Sequence, residues 1–383
     1  MSRTIEVDID SAVFKWLRES AGWSIEETSK KIYTSVDTVI AIESGKKKPT
    51  LRQLKELSNA FKRPLASFLL SEPKEEKSPP KDYRMLPNKV NIFDKKTLLV
   101  LRKARSLQTI GKELSQNLED ESKIKTGKFK LSDNPKEIAN KYRNLFKIDE
   151  KKQKGFKTTY DFFNYVRDVL ENINIIVFQF SIPVEDARGF VLIDESPAVI
   201  VVSTQDCIEA RLFTLMHEFA HILLGESAID IPDACSISNN NIEKWCNQFS
   251  SSFLFPKEIA KPTFNENKRN LTDRKTLNSL SRKYKVSKAM ILINMYKLDF
   301  ISKSDLNKIL DRYKPKAIPK EAKETKTGGG MTADKKCVSE VGTKFVSLVA
   351  NNYDRGYITY TDALNYLSIK SKNFDKVLSR AVK

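Results

Sequence analysis

The chain contains only two histidines, His217 and His221, and both lie in the pentapeptide His-Glu-Phe-Ala-His at residues 217–221. Residues four apart lie on the same side of an α-helix, so a helix through this segment brings both imidazoles to one ion. The flanking sequence favours such a helix, because residues 209–224 are apolar on most sides and Gly225 follows them. A helix of this kind is buried, and the polar residues inside it need partners. We therefore expect a buried helix that binds a metal ion.

The pattern H-E-x-x-H is typical of zinc metalloproteases, and it predicts Zn²⁺ as the cofactor. A catalytic zinc takes three protein ligands and leaves one position open. His217 and His221 supply two ligands, and since the chain has no third histidine, the remaining one is a carboxylate or a thiolate. Glu218, next to the first histidine, is the predicted general base. The nearby candidates for the third ligand are Asp230, Asp233, Cys235, Glu243 and Cys246.

Length and composition limit the class of protein. A chain of 383 residues with 40% hydrophobic residues can form two or three domains. No apolar run approaches the ~18–20 residues that span a bilayer, and the first residues lack the apolar core of a signal peptide. These observations favour a cytoplasmic protein without a membrane partner. The four cysteines form no C-x-x-C pair, which favours thiols over a disulfide framework.

The net charge of +18 is unevenly distributed along the chain. Residues 81–160 contain 21 Lys and Arg against 10 Asp and Glu, whereas residues 161–225, which hold the H-E-x-x-H pattern, contain 3 against 10. A basic excess favours an anionic partner such as nucleic acid, although a solvated, lysine-rich surface gives the same count. Nothing in the basic segment resembles a nuclease or a phosphate-binding loop, so a nucleic-acid enzyme is disfavoured.

Helix and strand signals predict a mostly helical α+β protein. Five short helices are expected in the first 71 residues, and the N-caps of the first four are Ser11, Ser24, Ser35 and Thr50. The short break at Tyr33-Thr34 fits a helix-turn-helix. A domain with a small three-stranded sheet and the H-E-x-x-H helix follows, and a helical region comes last.

The predicted domain boundaries follow changes in composition, with charged, proline-rich or glycine-rich segments as linkers. The three strands are expected at residues 173–180, 189–194 and 198–203, and the last of them is expected to bind an extended substrate by its edge. The expected order is a helix-turn-helix domain at 8–71, a linker at 72–84, the H-E-x-x-H domain at 85–313, a linker at 314–330 and a helical region at 331–383.

The first 71 residues resemble the XRE-type helix-turn-helix of bacterial and phage repressors. The similarity rests on Leu17-Arg18, on residues 24–28 and 35–39, and on Ile42-Glu43-Ser44-Gly45 followed by Pro49. In such domains the third helix enters the major groove of double-stranded DNA. Such domains commonly bind DNA as dimers, so a homodimer is expected here.

This resemblance implies two sets of DNA-contacting residues. The implied base readers are Val36, Asp37, Thr38 and Ala41. The implied phosphate contacts are Ser35, Lys46, Lys47 and Lys48. The third helix is nevertheless poor in Arg, Gln and Asn, and Asp37 repels phosphate. A helical bundle used for dimerisation or partner binding is therefore the alternative.

The remainder of the chain resembles the ImmA/IrrE family of zinc metallopeptidases, in the version fused to an N-terminal helix-turn-helix. The similarity rests on residues 211–216, which lead into the H-E-x-x-H, and on residues 243–249 running to Phe255-Pro256. Val286-Ser287 and, near the end of the chain, residues 356–359 and 362–364 fit the same family. The resemblance implies a zincin-like peptidase domain at 85–313, Zn²⁺ as cofactor and Glu243 as the third ligand.

The family further implies a cytoplasmic zinc endopeptidase with a DNA-binding domain in the same chain. It would cleave a repressor or a partner protein, or the chain itself near residues 71–81, and so control a stress, mobile-element or defence operon. The alternative is a transcriptional regulator, or a toxin–antitoxin or phage-defence component, in which the peptidase fold acts as a sensor or partner-binding module.

Overall fold

The computed structural model describes residues 5–73, 94–119, 126–225, 229–230, 241–313 and 331–381. The described chain forms two compact units, one of residues 5–73 and 94–103, and one of the residues from 104 onwards. Most of the linker expected at 72–84 and all of the linker expected at 314–330 lie outside the described residues. None of the described helices is both long enough and apolar enough to cross a membrane.

The first unit contains four short α-helices and a 3-10 helix at Leu65–Leu69. The fifth predicted helix is therefore 3-10 rather than α. The five residues after Pro64 allow too few α-helical hydrogen bonds to offset the cost of nucleation, and short 3-10 turns are common in such positions. The α-helices are α1 (Ser11–Ser20), α2 (Ile25–Lys31), α3 (Val36–Glu43) and α4 (Leu51–Phe61).

The caps of these helices largely follow the sequence. Ser24, Ser35 and Thr50 each accept a hydrogen bond from the backbone of the helix that follows. The predicted cap Ser11 is wrong, because the carboxylate of Asp10 accepts from the Val13 N–H at 3.0 Å and places Ser11 inside the helix. Both residue types are good caps, and the sequence does not fix which of two neighbours takes the position.

A buried ion pair fixes the third helix against the first. The Arg18 guanidinium on α1 donates to the Glu43 carboxylate on α3 at 2.5 and 3.1 Å, and to the Trp23 carbonyl at 2.8 Å. The apolar core beneath contains Phe14, Phe61 and Phe68. Because Glu43 is the last residue of α3, this pair sets which face of α3 points to solvent.

The second unit is mostly helical and contains one small sheet. Helix α5 contributes its first residues to the first unit and the rest to the second. The helices are α5 (Lys95–Asn117), α6 (Pro135–Leu145), α7 (Glu150–Gly155), α8 (Thr159–Asn172), α9 (Ile208–Leu224), α10 (Asn241–Leu254), α11 (Lys257–Glu266), α12 (Arg274–Tyr284), α13 (Lys288–Lys297), α14 (Lys303–Tyr313), α15 (Ala333–Asp354), α16 (Tyr360–Leu367) and α17 (Phe374–Ala381). The strands are β1 (Ile175–Phe180), β2 (Gly189–Leu192), β3 (Ala198–Ser203) and β4 (Ile229–Asp230).

The sheet has the strand order β1-β3-β2-β4. β1 runs parallel to β3, β2 is antiparallel to both β3 and β4, and the two-residue β4 adds to the three predicted strands. β3 therefore has a partner on each side. The expectation that β3 binds an extended substrate by its edge is wrong, because its backbone groups already belong to two ladders.

Both faces of the sheet are covered by helices. Every residue of β1, β2 and β3 is buried, as in strands that lie between two helical layers. α9 packs against β2 and β3, while α15 packs against β1, where the rings of Phe345 and Phe178 meet edge to face at 5.7 Å. The C-terminal helices are thus part of the second unit's core.

Several short helices were not predicted from the sequence. The Lys-rich segment at residues 150–155 forms α7, because the Asp149 carboxylate caps it by accepting from the Lys152 N–H at 2.6 Å. α11 contains Pro262, which removes a helical donor and argues against a helix on sequence alone. α14 and α17 were not predicted either.

Candidate metal centre

The H-E-x-x-H segment lies in α9, as predicted. His217, Glu218 and His221 are all fully buried, and the Nε2 atoms of the two histidines are 3.2 Å apart. The helix ends at Gly225, which adopts the left-handed conformation (φ 74°) and donates to the carbonyls of His221 and Ile222. The local sequence therefore places both imidazoles at the C-terminal end of a buried helix, with their Nε2 atoms facing one point.

Glu243 is the third member of the cluster. It lies in the first turn of α10, is 1% exposed, and contacts both histidines through its two carboxylate oxygens. Oε2 lies 3.2 Å from Nε2 of His217, and Oε1 lies 3.3 Å from Nε2 of His221. Within the described part of the chain, these three residues form the one group of ligand-type side chains spaced to hold a metal.

The other candidate ligands do not join this cluster in the described residues. Cys246 is buried in α10 but is not part of the group. Asp233 and Cys235 lie outside the described residues, and only the backbone of Asp230 is described, in β4.

Aromatic packing holds α10 against α9. The indole of Trp245 stacks on Phe249 at 5.7 Å and donates to the Asp133 carbonyl at 2.8 Å. Phe249 in turn packs against Phe219 of α9, with ring centroids 6.0 Å apart. These contacts fix the distance between the two helices, and therefore the position of Glu243 relative to the histidines.

The spacing of these side chains suits a single metal ion. Bonds of about 2.0–2.1 Å from one ion place neighbouring ligand atoms roughly 3.3–3.4 Å apart. The two Nε2 atoms are 3.2 Å apart, and each has one oxygen of Glu243 at a similar distance, Oε2 at 3.2 Å from His217 and Oε1 at 3.3 Å from His221. Two imidazoles, one carboxylate and an open fourth position form the ligand set of a catalytic zinc site.

The two histidines favour the ionised form of the Glu243 carboxyl group. Burial by itself raises the pKa of Glu243, but the hydrogen bonds to His217 and His221 outweigh burial, and the net effect lowers the pKa. The carboxyl group is therefore ionised at neutral pH, which is the state that binds a cation.

Gly189 allows strand β2 to approach the H-E-x-x-H helix closely. A Cβ atom at this position would lie 2.6 Å from Cγ2 of Thr214, 2.7 Å from the Val201 carbonyl oxygen and 3.5 Å from Cγ of Glu218. Only glycine permits β2 to pass so close to α9 and β3. Sequence reasoning missed this role, although a glycine at the start of a strand is a known signal of close backbone approach.

Most of the predicted DNA-contacting residues are exposed on the first unit. Ser35, Val36, Asp37, Lys46, Lys47 and Lys48 are exposed, and Thr38 and Ala41 are half-buried. Ser35 Oγ accepts from the Thr38 N–H at 3.2 Å and lies 3.0 Å from Thr38 Oγ1, so both hydroxyls take part in the cap of α3. The sequence missed Tyr33 and Ile40, which are also exposed there.

Two parts of the chain match known protein families. Residues 170–296 match the IrrE N-terminal-like domain of peptidase family M78. This segment runs from the end of α8 to α13 and contains His217, Glu218, His221 and Glu243. Residues 14–68 match the helix-turn-helix family. No curated protein and no solved structure matched the chain.

The two matches confirm the resemblance seen in the sequence. The chain joins a helix-turn-helix domain to a domain with a metallopeptidase-like fold that carries a His-His-Glu cluster. This combination is that of a regulator with a peptidase-family domain.

Proposed function

We propose that the protein is a zinc-dependent endopeptidase with a DNA-binding domain in the same chain. Its substrate would be a repressor or a partner protein encoded in the same operon, and cleavage would control a stress, mobile-element or defence response. The observation that supports this most directly is the buried cluster of His217, His221 and Glu243, with Glu218 adjacent on the same helix.

His217, His221 and Glu243 would hold the zinc ion. When bound, Zn²⁺ supplies Lewis-acid polarisation of a peptide carbonyl and makes water a stronger acid. Glu218 is the residue of this chain that takes the proton from the attacking water and returns it to the leaving amine. Its burial in α9 keeps bulk solvent away from the proton transfer.

The decisive experiment compares Glu218→Gln with a matched control, Glu209→Gln. Glu209 lies in the first turn of the same helix, and its carboxylate accepts from Thr159 Oγ1 at 3.1 Å, a bond that glutamine preserves. Each form is co-expressed with the product of the neighbouring gene, and both chains are examined by intact-mass spectrometry, with bound zinc measured in parallel.

A metal-dependent fragment produced by wild type and by Glu209→Gln, but not by a zinc-loaded Glu218→Gln, is the expected result. Cleavage that survives Glu218→Gln would contradict the catalytic assignment. Two intact chains that co-purify with wild type would favour the alternative, in which the peptidase fold serves as a sensor or a partner-binding module of a regulator or toxin–antitoxin pair.

The first unit would supply DNA binding. Lys46, Lys47 and Lys48 lie exposed directly after α3, where they would contact phosphates, and α3 would enter the major groove. This role rests on the family match at residues 14–68.

A further inference from the structure

The exposed side of α3 carries aliphatic side chains beside the carboxylate of Asp37. Tyr33, Val36 and Ile40 are 86%, 36% and 47% exposed, while Val39 and Ile42 of the same helix lie in the core. Val36 and Ile40 are four residues apart and share one side of the helix. Contiguous exposed apolar side chains mark a binding surface more often than singly scattered ones do.

The same face lacks the side chains that read purines by paired hydrogen bonds. Residues 36–43 contain no Arg, Lys, Asn or Gln, which are the residues that recognise guanine or adenine in the major groove. Glu43 is held in the ion pair with Arg18, and the hydroxyl of Thr38 is engaged with Ser35. Apart from the exposed carboxylate of Asp37, which can accept a hydrogen bond from cytosine, what remains for base recognition on this side is apolar contact.

A basic segment flanks the apolar face. The backbone N–H groups of Lys46 and Lys47 both donate to the Ala41 carbonyl, at 2.8 and 3.2 Å, so this segment folds tightly against the end of α3. Lys46, Lys47 and Lys48 are exposed, and Lys48 also forms an exposed ion pair with Asp8 at 3.1 Å. An apolar strip beside a cluster of lysines complements a groove that presents methyl groups between two lines of phosphates.

We propose that α3 recognises a thymine-rich half-site, with Val36 and Ile40 in contact with the C5-methyl groups of thymine in the major groove. Thymine is the natural base that presents a methyl group there, and aliphatic side chains are its expected partners. Tyr33, at the entry to α3, extends the contact toward the next base pair. This proposal rests on the proposed DNA binding and names the sequence class that the domain reads.

The test begins with selection of bound sites from a random double-stranded DNA library by the full chain. The enriched site is then prepared in two forms that differ only by methyl groups, one with thymine and one with deoxyuridine at the same positions. Because the two forms pair identically, any difference in affinity reports contact with the methyl groups. We expect thymine-rich sites and an affinity loss of about fourfold for each contacted methyl that is removed.

Two variants assign the contact to α3. The affinities of Ile40→Ser for the thymine and deoxyuridine forms should be more alike than those of wild type. The variant should lose affinity for the thymine form only. Leu69→Ser changes a more exposed leucine in the 3-10 helix of the same unit and should leave the discrimination unchanged. Both substitutions are at exposed positions, so the fold of the unit is preserved.

The possible failures are distinguishable. Equal affinity for the two DNA forms, or full discrimination by Ile40→Ser, would overturn methyl recognition while leaving DNA binding intact. Failure to enrich any DNA would overturn DNA binding and this proposal together, and would indicate that the apolar face binds a protein.

Discussion

The Glu171 carboxylate lies where a side chain on residue 342 would have to be. Gly342 interrupts α15 with non-helical angles (φ 85°, ψ 161°), and a Cβ atom there would collide with Oε1 of Glu171. Across this break, the Arg167 guanidinium donates to the Ser339 carbonyl at 2.8 Å, and Oε2 of Glu171 accepts from the Lys344 N–H at 2.9 Å. One ion pair on α8 thus caps both halves of α15.

The charges of this pair match the helix ends that they contact. The positive guanidinium meets the carbonyls that end the first half of α15, and the carboxylate meets the N–H groups that begin the second half. Arg167 and Glu171 also bond each other at 3.0 Å, and their side chains are 5% and 3% exposed. The ion pair therefore anchors the C-terminal helices to the sheet, since Arg167 also donates to the Val177 carbonyl in β1.

Gly342→Ala should destabilise the protein by about 2–4 kcal/mol, because strain at positive φ adds to a collision with a buried ion pair. Gly356→Ala is the matched control. Gly356 also has positive φ (73°), but no atom lies within 4 Å of its added Cβ. The control should cost about 1–2 kcal/mol from backbone strain alone. Urea unfolding of both variants measures the difference, and equal losses would contradict the collision.

Arg167→Met should lower the free energy of unfolding by about 3–5 kcal/mol, because it leaves the buried Glu171 carboxylate without its counter-charge. The double variant Arg167→Met/Glu171→Gln removes both charges and should recover part of the loss. Chemical denaturation of the two variants is the measurement. A double variant less stable than Arg167→Met would show that the carboxylate's hydrogen bonds to Thr343 and Lys344 matter more than the charge pair.

The pKa of Asp334, at the start of α15, predicts that the stability of the protein depends on pH. Hydrogen bonds from Thr332 and then Arg380 lower the pKa of Asp334 to about 2. A lowered carboxyl pKa contributes stability above the unfolded-state value of about 3.9, and this contribution is lost as pH falls toward 2. Asp334→Asn should therefore lower Tm at pH 6 and match wild type more closely as pH falls from about 4 to about 2. A Tm difference that stays constant over this range would contradict the assignment.

Glu243→Gln should weaken zinc binding, whereas Glu218→Gln should not, because Glu243 contacts both imidazoles at 3.2 and 3.3 Å and Glu218 belongs to no ligand cluster among the described residues. Zinc at 100 times its dissociation constant stabilises a folded protein by about 2.7 kcal/mol. For wild type and for Glu218→Gln, the Tm with zinc should therefore be higher than the Tm with a chelator. For Glu243→Gln this difference should be much smaller. Equal shifts in both variants would remove Glu243 from the ligand set.

Gly189→Ala should displace β2 from α9 at a cost of about 1–3 kcal/mol, because the added methyl group meets Thr214 and the Val201 carbonyl. Gly155→Ala is the control, since its Cβ meets nothing within 4 Å. Cleavage and thermal stability should both fall for Gly189→Ala and change little for the control. A fully active and stable Gly189→Ala would show that β2 tolerates a shift.

The sequence was most informative where local chemistry decides structure. The spacing of His217 and His221 and the stop at Gly225 defined α9 without any tertiary knowledge. The resemblance, not the spacing, distinguished Glu243 from Cys246 and the other candidates, because the fold of α10 onto α9 depends on packing such as Phe219 against Phe249.

Features that depend on distant parts of the chain could not be predicted in the same way. The internal position of β3 results from pairing with β1 and β2, and strand composition does not reveal neighbours. Likewise, Ile40 was not recognised as exposed, because Ile40 and the buried Val39 are alike in sequence and differ only in the rotation of α3 set by Arg18 and Glu43.

The cluster of His217, His221 and Glu243 draws its side chains from two helices, α9 and α10. A bound ion would therefore join two elements that are separate in the chain, and release of the ion would require either helix to move away from the other. Exchange of the metal would then proceed at the rate of local opening between α9 and α10, so a simple exchange measurement would report how often this part of the core comes apart.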